Sequence, residues 1–385
     1  MLPTGSSTEA RRPPSHQRTF PHGRARAVLT PPLSALLAVV LLAPGGCDRS
    51  PPVDRWPMAS AITAGGESFV AWALPPDRFG LGLTSHVVEV KDYVTAICPL
   101  HERGAMIFTP SGGFDVRAEK DLWSTQPDVR NAAALGATRL ALILGGDTTA
   151  CAPGEPAEPP PWLMGAEIRI GRIDDNQLRV GPSELPHTVN PWRIQHGRFG
   201  GEDDALLVLV YTRAPFDDVM RRRPWIYRIT EGDDGLPHLD PRWRGTSFAH
   251  PFRDATFGDF TGRGEGEIAA LEVTEDGGRM ITAYHFEGFG LEGLAPSARV
   301  PPVEDRLHAA RWNASEADGL VVRALDGRFI FYELDAEKGE LRQRSAVDGP
   351  GSVLGWIVTG AETAGPGELI CVLPGGDLWR ANLAD

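Results

Sequence analysis

The feature that most constrains this chain is a loose recurrence of one phrase: a small residue, a polar turn, then an apolar run. It occurs at "SAITAGGESFVAWAL" (60–74), "TAICPLHERGAMIFT" (95–109), "NAAALGATRLALILGG" (131–146) and "IQHGRFGGEDDALLVLVY" (194–211). It returns at "DATFGDFTGRGEGEIAALEV" (254–273), "HAARWNASEADGLVVRAL" (308–325) and "WIVTGAETAGPGELICVL" (356–373). These seven rungs are spaced by roughly 35 to 65 residues, a spacing that signals a repeat architecture.

The segment after each rung also recurs. "AEIRIGRIDDNQLRVG" (166–181), "WIYRITEGDDGLPHLD" (225–240), "MITAYHFEGFGLEGLA" (280–295) and "RFIFYELDAEKGELRQ" (328–343) each read as an alternating strand and then a polar one. Each unit is thus about four strands, with a second strand apolar on both faces, as a strand sandwiched between neighbouring sheets must be. Four-stranded units closed by radial repetition make an all-β fold, a β-propeller of six or seven blades, seven favoured. A two-domain β-sandwich is the alternative, since short strands between turns fit it too. The last copy, "GDLWRANL" (376–383), stops one strand short. Ring closure then predicts that "HVVEV" (86–90) or residues near 58–63 supply the missing strand, so that no sheet edge is left open.

The composition agrees with a turn-rich globular chain: 42% hydrophobic, 23% charged, 44 Gly and 34 Pro. A net charge of −13 excludes a general nucleic-acid binder. The amino terminus differs in kind. Residues 1–46 hold Glu9 against Arg11, Arg12, Arg18, Arg24 and Arg26, followed by the eleven-residue apolar run 33–43. The run is too short to span a bilayer and fits the apolar region of a secretory signal peptide. "LLAPGGC" comes next and resembles the lipobox of bacterial lipoproteins, with Pro44 standing where that family favours Leu. The resemblance implies lipidation of Cys47, a tether over 47–57, and a single domain over 58–385. The protein is then exported and anchored to the membrane through Cys47, facing the periplasm or the cell surface. Ordinary signal cleavage would instead leave it soluble in the periplasm or secreted. With Cys47 lipidated, Cys98, Cys151 and Cys371 remain, and the apolar runs around Cys98 and Cys371 predict buried free thiols.

The stretch "FGDFTGRGEGEIAALEV" (257–273) resembles the FG-GAP or VCBS-type propeller repeat, whose intact turns bind calcium through alternating acidic side chains. By that resemblance Asp259 and Thr261 stand at the first and third ligand positions, Glu265 comes after them, and Glu267 is the acid before the strand. Arg263 occupies the usually acidic fifth position, so the turn is degenerate and calcium is not expected as a resident cofactor. That arginine could replace the ion and pair with the carboxylates. An acid persists before the strand in other rungs as Asp204, Asp318 and Glu368, alongside Glu267, in a place where a carboxylate can accept backbone N–H groups and hold the turn.

Other motifs carry less. "GFGLEG" (288–293) has dinucleotide-fingerprint glycines but no helix after it, and reads as a hairpin turn. "HERGA" (101–105) lacks a second histidine for zinc, and no G-x-S-x-G elbow is present. "MRRRP" (220–224) reads as a solvated basic loop. Trp72, Trp192, Trp225, Trp312, Trp356 and Trp379 track the strands and are expected to pack between blades, a glycan-stacking surface being the sharper alternative. The sequence therefore predicts a non-enzymatic envelope scaffold whose partner is a protein or a glycan. A secreted propeller lactonase, or a polysaccharide hydrolase or lyase working at the channel mouth, is the alternative.

Overall fold

The computed structural model describes the backbone from Met58 to Leu383, apart from several loops, and side chains chiefly from Val94 onward. The expected signal segment, Cys47 and the tether lie outside the described residues, as do Cys151 and the Pro-rich insert around it. Contacts divide the chain into Met1–Gly46 and Cys47–Asp385, and all the described strands belong to the second unit. No helix among the described residues is long and apolar enough to cross a membrane.

The described strands form seven antiparallel sheets in chain order, spanning 58–89, 96–123, 129–183, 191–244, 252–300, 308–348 and 355–382. Five of them, from 129 onward, are described through their side chains. Each rung of the sequence covers the first two strands of one sheet, as in Pro191–Phe199 with Glu202–Ala214, or Phe252–Gly258 with Glu267–Val273. The first strand is the inner one. Each inner strand touches the next along the chain, and Gly355–Thr359 of the last sheet touches Met58–Ile62 of the first, closing a ring. An all-β ring of radially repeated sheets is a β-propeller.

Period-two alternation explains how the sheets hold one another. In the fourth sheet Leu206 and Val208 pack with Ile143 and Ile168 of the third, while Leu207 and Leu209 pack with Ala255 and Ile268 of the fifth. One strand thus feeds two inter-sheet cores through its two faces. Ala269 and Leu271 do the same toward Leu320 and Val322, and Val321 and Phe331 meet Trp356 and Leu369. Each such Leu, Ile or Val side chain, fully buried, contributes about 1.5–3 kcal/mol. The outer strands have one face in water and read accordingly, as the exposed run along Glu340–Asp348 shows. Cys98 and Cys371 are buried in these inter-sheet cores, as their apolar surroundings predict, and burial pushes the Cys371 thiol up to about 12. Trp192, Trp312 and Trp356 are buried in the same layers.

Two expectations are corrected. The seventh sheet stays three-stranded among the described residues: Met58–Ile62 is the inner strand of the first sheet and His86–Glu89 its outer strand, so neither completes the last. Among the described residues the first and last sheets meet through side-by-side contact of their inner strands. The "MRRRP" run is not a solvated loop either. It lies within the strand Asp217–Glu231, where Arg223 is 1% exposed and donates to the carbonyls of Thr212 at 2.9 Å and Thr246 at 2.5 Å. Arg222 stacks on Trp192, its guanidinium carbon 5.1 Å from the ring centroid. These arginines satisfy backbone carbonyls beyond the reach of the ladder, a job invisible in a run of like charges.

Candidate functional site

Each inner strand has two ends with different chemistry. At its trailing end is the turn to the second strand, where the calcium-type resemblance falls. In the fifth sheet this turn runs from Asp259 to Gly266 and uses left-handed backbone at Gly262, Gly264 and Gly266, with φ of 69°, 75° and 71°. Glycine takes this conformation without a Cβ penalty. Gly266 has a second reason: a Cβ there would stand 2.3 Å from the carbonyl oxygen of Arg198 in the neighbouring sheet.

Glu267 folds back into the turn. Its Oε2 accepts the N–H groups of Phe260 at 2.7 Å and Thr261 at 3.3 Å, and its Oε1 accepts the Thr261 hydroxyl at 2.6 Å. Burial raises its pKa above the ordinary carboxylate value, against the pull of these donors. Asp259 Oδ2 accepts the N–H of Gly264 at 2.9 Å. Glu265 and Arg263 are exposed, and among the described residues Arg263 forms no ion pair with these carboxylates. The turn is also a staple between sheets. Gly200 and Gly201 donate to the carbonyls of Gly266 and Glu265 at 3.1 and 2.9 Å, and Asp259 N–H donates to Asp318 Oδ2 at 2.8 Å.

The four acids before the strands therefore do four different things. Glu267 holds its own turn, and Asp318 reaches the preceding one. Asp204 pairs with His196 at 2.6 Å, and Glu368 faces Arg380 at 3.7 Å within its own sheet. Among the described residues, three potential ligand atoms converge at His285, Glu287 and Glu292, on an exposed hairpin away from this turn. That hairpin is "GFGLEG", a strand turn with Phe289 fully exposed at its tip.

The inner strands are laced together by side chains along their length, with Asp254 at the leading end. Asn131 Oδ1 accepts Ile194 N–H at 3.3 Å, Gln195 Oε1 accepts Phe257 N–H at 3.0 Å, and Asp254 Oδ2 accepts Leu307 N–H at 2.8 Å. Each link joins one sheet to the next. Asp254, 2% exposed, also pairs with Arg193 and accepts the N–H of Ala255 at 2.9 Å. Glu272, fully buried beside the same strand, accepts from Thr282, Tyr284 and the N–H of His250 at 2.5, 2.7 and 3.1 Å. The two non-glycine residues with left-handed backbone among those described, Asp128 (φ 68°) and Asn190 (φ 42°), stand directly before the inner strands of the third and fourth sheets. Strained backbone at one rim in successive blades is a feature that functional sites share.

Arg306 and His308 stand at this same rim. Arg306 feels Arg193 of the fourth sheet and Asp254 of the fifth, and lies over Trp356 of the seventh, 4.7 Å from the ring centroid. A residue of the sixth sheet can meet the fourth, fifth and seventh together only near the axis where blades converge. Both side chains keep some solvent access while crowded by protein. Burial, then Arg306 and Arg193, push the His308 imidazole down to about 3, so it is neutral, and its ring bonds to the backbone of Val358. Burial, then Arg193, lower the Arg306 guanidinium to about 10, still charged at neutral pH.

Sequence analysis passed over Arg193, Asp254 and Arg306. Their one signal is position: each falls at the head of a rung, so aligning the rungs brings them to one end of the ring.

No family model matches the chain, and no curated protein matches it. Among solved structures it is similar to a candidate 6-phosphogluconolactonase from Bacteroides uniformis, at 10% identity and a TM-score of 0.49 over 86% of this chain and 93% of that one. It is also similar to the Dos1 propeller, at 8% identity and a TM-score of 0.50 with the same shares covered. At such identity the likeness is one of fold, and the fold is the β-propeller.

Proposed function

We propose that this chain is an exported, envelope-anchored propeller of seven blades, one per sheet, that works as a binding scaffold for an envelope protein or a glycan. The observation that supports binding over catalysis is the state of the rim carboxylates. Asp254 and Glu272 each accept three hydrogen bonds from the protein itself. An acid engaged three times by the protein is held in place with little acceptor capacity to spare, which suits a structural role better than proton transfer to a substrate. His308 is neutral and tied to the backbone, so it serves the ring rather than a reaction. A rigid ring with its acids committed and an arginine on its axis is suited to holding a ligand. The turn Asp259–Glu267 is, in this reading, a degenerate FG-GAP or VCBS-type loop that staples blades without calcium.

Cross-linking cells that produce the tagged protein, followed by purification from membranes, tests the scaffold. A stoichiometric envelope component is the expected result, and recovery of the propeller alone would count against it. Replacing Cys47 by Ser tests the anchor: the protein should move from the membrane to the soluble fraction.

A further inference from the structure

The least compensated charge among the described residues near the axis is Arg306. A guanidinium carries five N–H donors and is ordinarily matched by a carboxylate or by several carbonyls wherever water is scarce. Arg306 has neither among the described residues: its side chain makes the contact with Trp356 and no ion pair or hydrogen bond. The two carboxylates near enough to act on it are already engaged. Asp254 is held by Arg193 and two backbone N–H groups, and Glu304 pairs with Arg323 at 2.5 Å. The neighbouring Arg193 adds repulsion instead of relief. His308 stands two residues on, its ring 5.9 Å from that of Trp356, adding no compensating negative charge.

The guanidinium keeps some contact with water, so a ligand that displaces this water meets donors that no protein group has engaged. The arrangement also presets its geometry. Its place over the Trp356 ring restrains the guanidinium while leaving N–H donors to meet a planar or tetrahedral oxyanion in the bidentate manner that arginine favours. The chain as a whole is acidic, with net charge −13, so a cationic point inside the ring is a local exception to the overall field.

We propose that Arg306, stacked on Trp356 at the leading end of the channel, is the anchor of a binding site for a ligand bearing a carboxylate or a phosphate. This rests on the binding reading above and deepens it by naming the group that the partner presents to the ring. A uronic acid residue of a glycan and a phosphorylated small molecule share this chemistry, and separate titrations distinguish them.

The test is calorimetric titration of the full-length protein, purified from membranes in detergent, with inorganic phosphate, galacturonate and, as an uncharged control, galactose. At least one of the two anions should bind saturably at one site, and galactose should bind no better than its buffer blank. Arg306→Gln should weaken the anion by about tenfold or more, the loss of one charge-assisted contact. Arg306→Lys should retain part of the affinity, and Arg342→Gln, on the outer strand of the sixth sheet near its opposite end, all of it. Without anion, Arg306→Gln and Arg306→Met should melt at or above the wild-type temperature, because an unmatched cation has been removed. Absence of saturable binding by both anions, or equal binding to wild type and Arg306→Gln, overturns the site. Loss of the fold in both neutral variants would make Arg306 structural and overturn it equally. An envelope partner found by cross-linking without anion binding leaves the scaffold standing and this site refuted. Anion binding that the protein turns over keeps the site and refutes the scaffold.

Discussion

The two ends of one inner strand, Phe252–Gly258, solve the problem of buried charge in opposite ways. At the trailing end, Glu267 finds its three donors within seven residues of itself, and the glycines of the turn bring those donors into place. At the leading end, Asp254 finds Arg193 and Leu307, 61 and 53 positions away, on two different sheets. The first arrangement forms as the hairpin forms. The second exists only when the ring is assembled. Local satisfaction makes an end structural and self-contained, whereas satisfaction across blades ties the ring together and leaves Arg306 over when the available acids are spent.

The sharpest way to break this contrast is Asp254→Ala. It strips Arg193 of its carboxylate and Leu307 N–H of its acceptor in a place that is 2% exposed. Breaking a buried pair from one side costs about 3–5 kcal/mol, so the urea midpoint should fall steeply, and an unchanged midpoint would dissolve the idea of a laced rim.

The next effect is a pH dependence. The folded pKa of His308, about 3, lies below its ordinary 6.5. The folded state therefore binds fewer protons than the unfolded one, stability is full above the ordinary value, and it is lost as pH falls toward the folded one. The slope from this group is at most about 1.4 kcal/mol per pH unit. Urea midpoints measured between neutral and acidic pH should decline less in His308→Phe than in the wild type. Parallel declines would mean that His308 is not the group responsible.

At the trailing end the expected loss is smaller. Glu267→Ala removes three hydrogen bonds from a half-open turn and should cost about 1–3 kcal/mol. Because burial favours the neutral form of this acid, Glu267→Gln should cost less than Glu267→Ala. The reverse order would indicate that the negative charge itself is needed there, as a bound cation would require.

The smallest effect concerns calcium. Melting temperatures with chelator and with millimolar calcium should agree within about 1 °C, since an ion that does not bind the folded state cannot stabilise it. A rise of several degrees with calcium would restore the ion site and remove the staple as the reason for the turn.

Much of the fold was legible because it is written at short range. The seven rungs coincide with the first two strands of the seven sheets, since the turn glycines and the doubly apolar second strands are local signals that no distant contact has to supply. "GFGLEG" was legible as a hairpin for the same reason. The run Arg221–Arg223 was misread because a strand that takes backbone carbonyls on arginine side chains looks, in sequence, like a charged loop. The segments 58–63 and 86–90 were misassigned as the closing strand because a missing edge partner suggests a donor, whereas both belong to the first sheet, whose inner strand lies side by side with that of the last.

Periodicity and turn chemistry, acting over a few residues, determined in the sequence that this chain is all-β and built of repeats, with Glu267 seated in its turn. Tertiary structure alone decided which charges meet. Arg193, Asp254, Arg306 and Trp356 come from four sheets and are brought together by closure of the ring, and whether a guanidinium there is matched or left over depends on how many carboxylates the other blades deliver to the same axis.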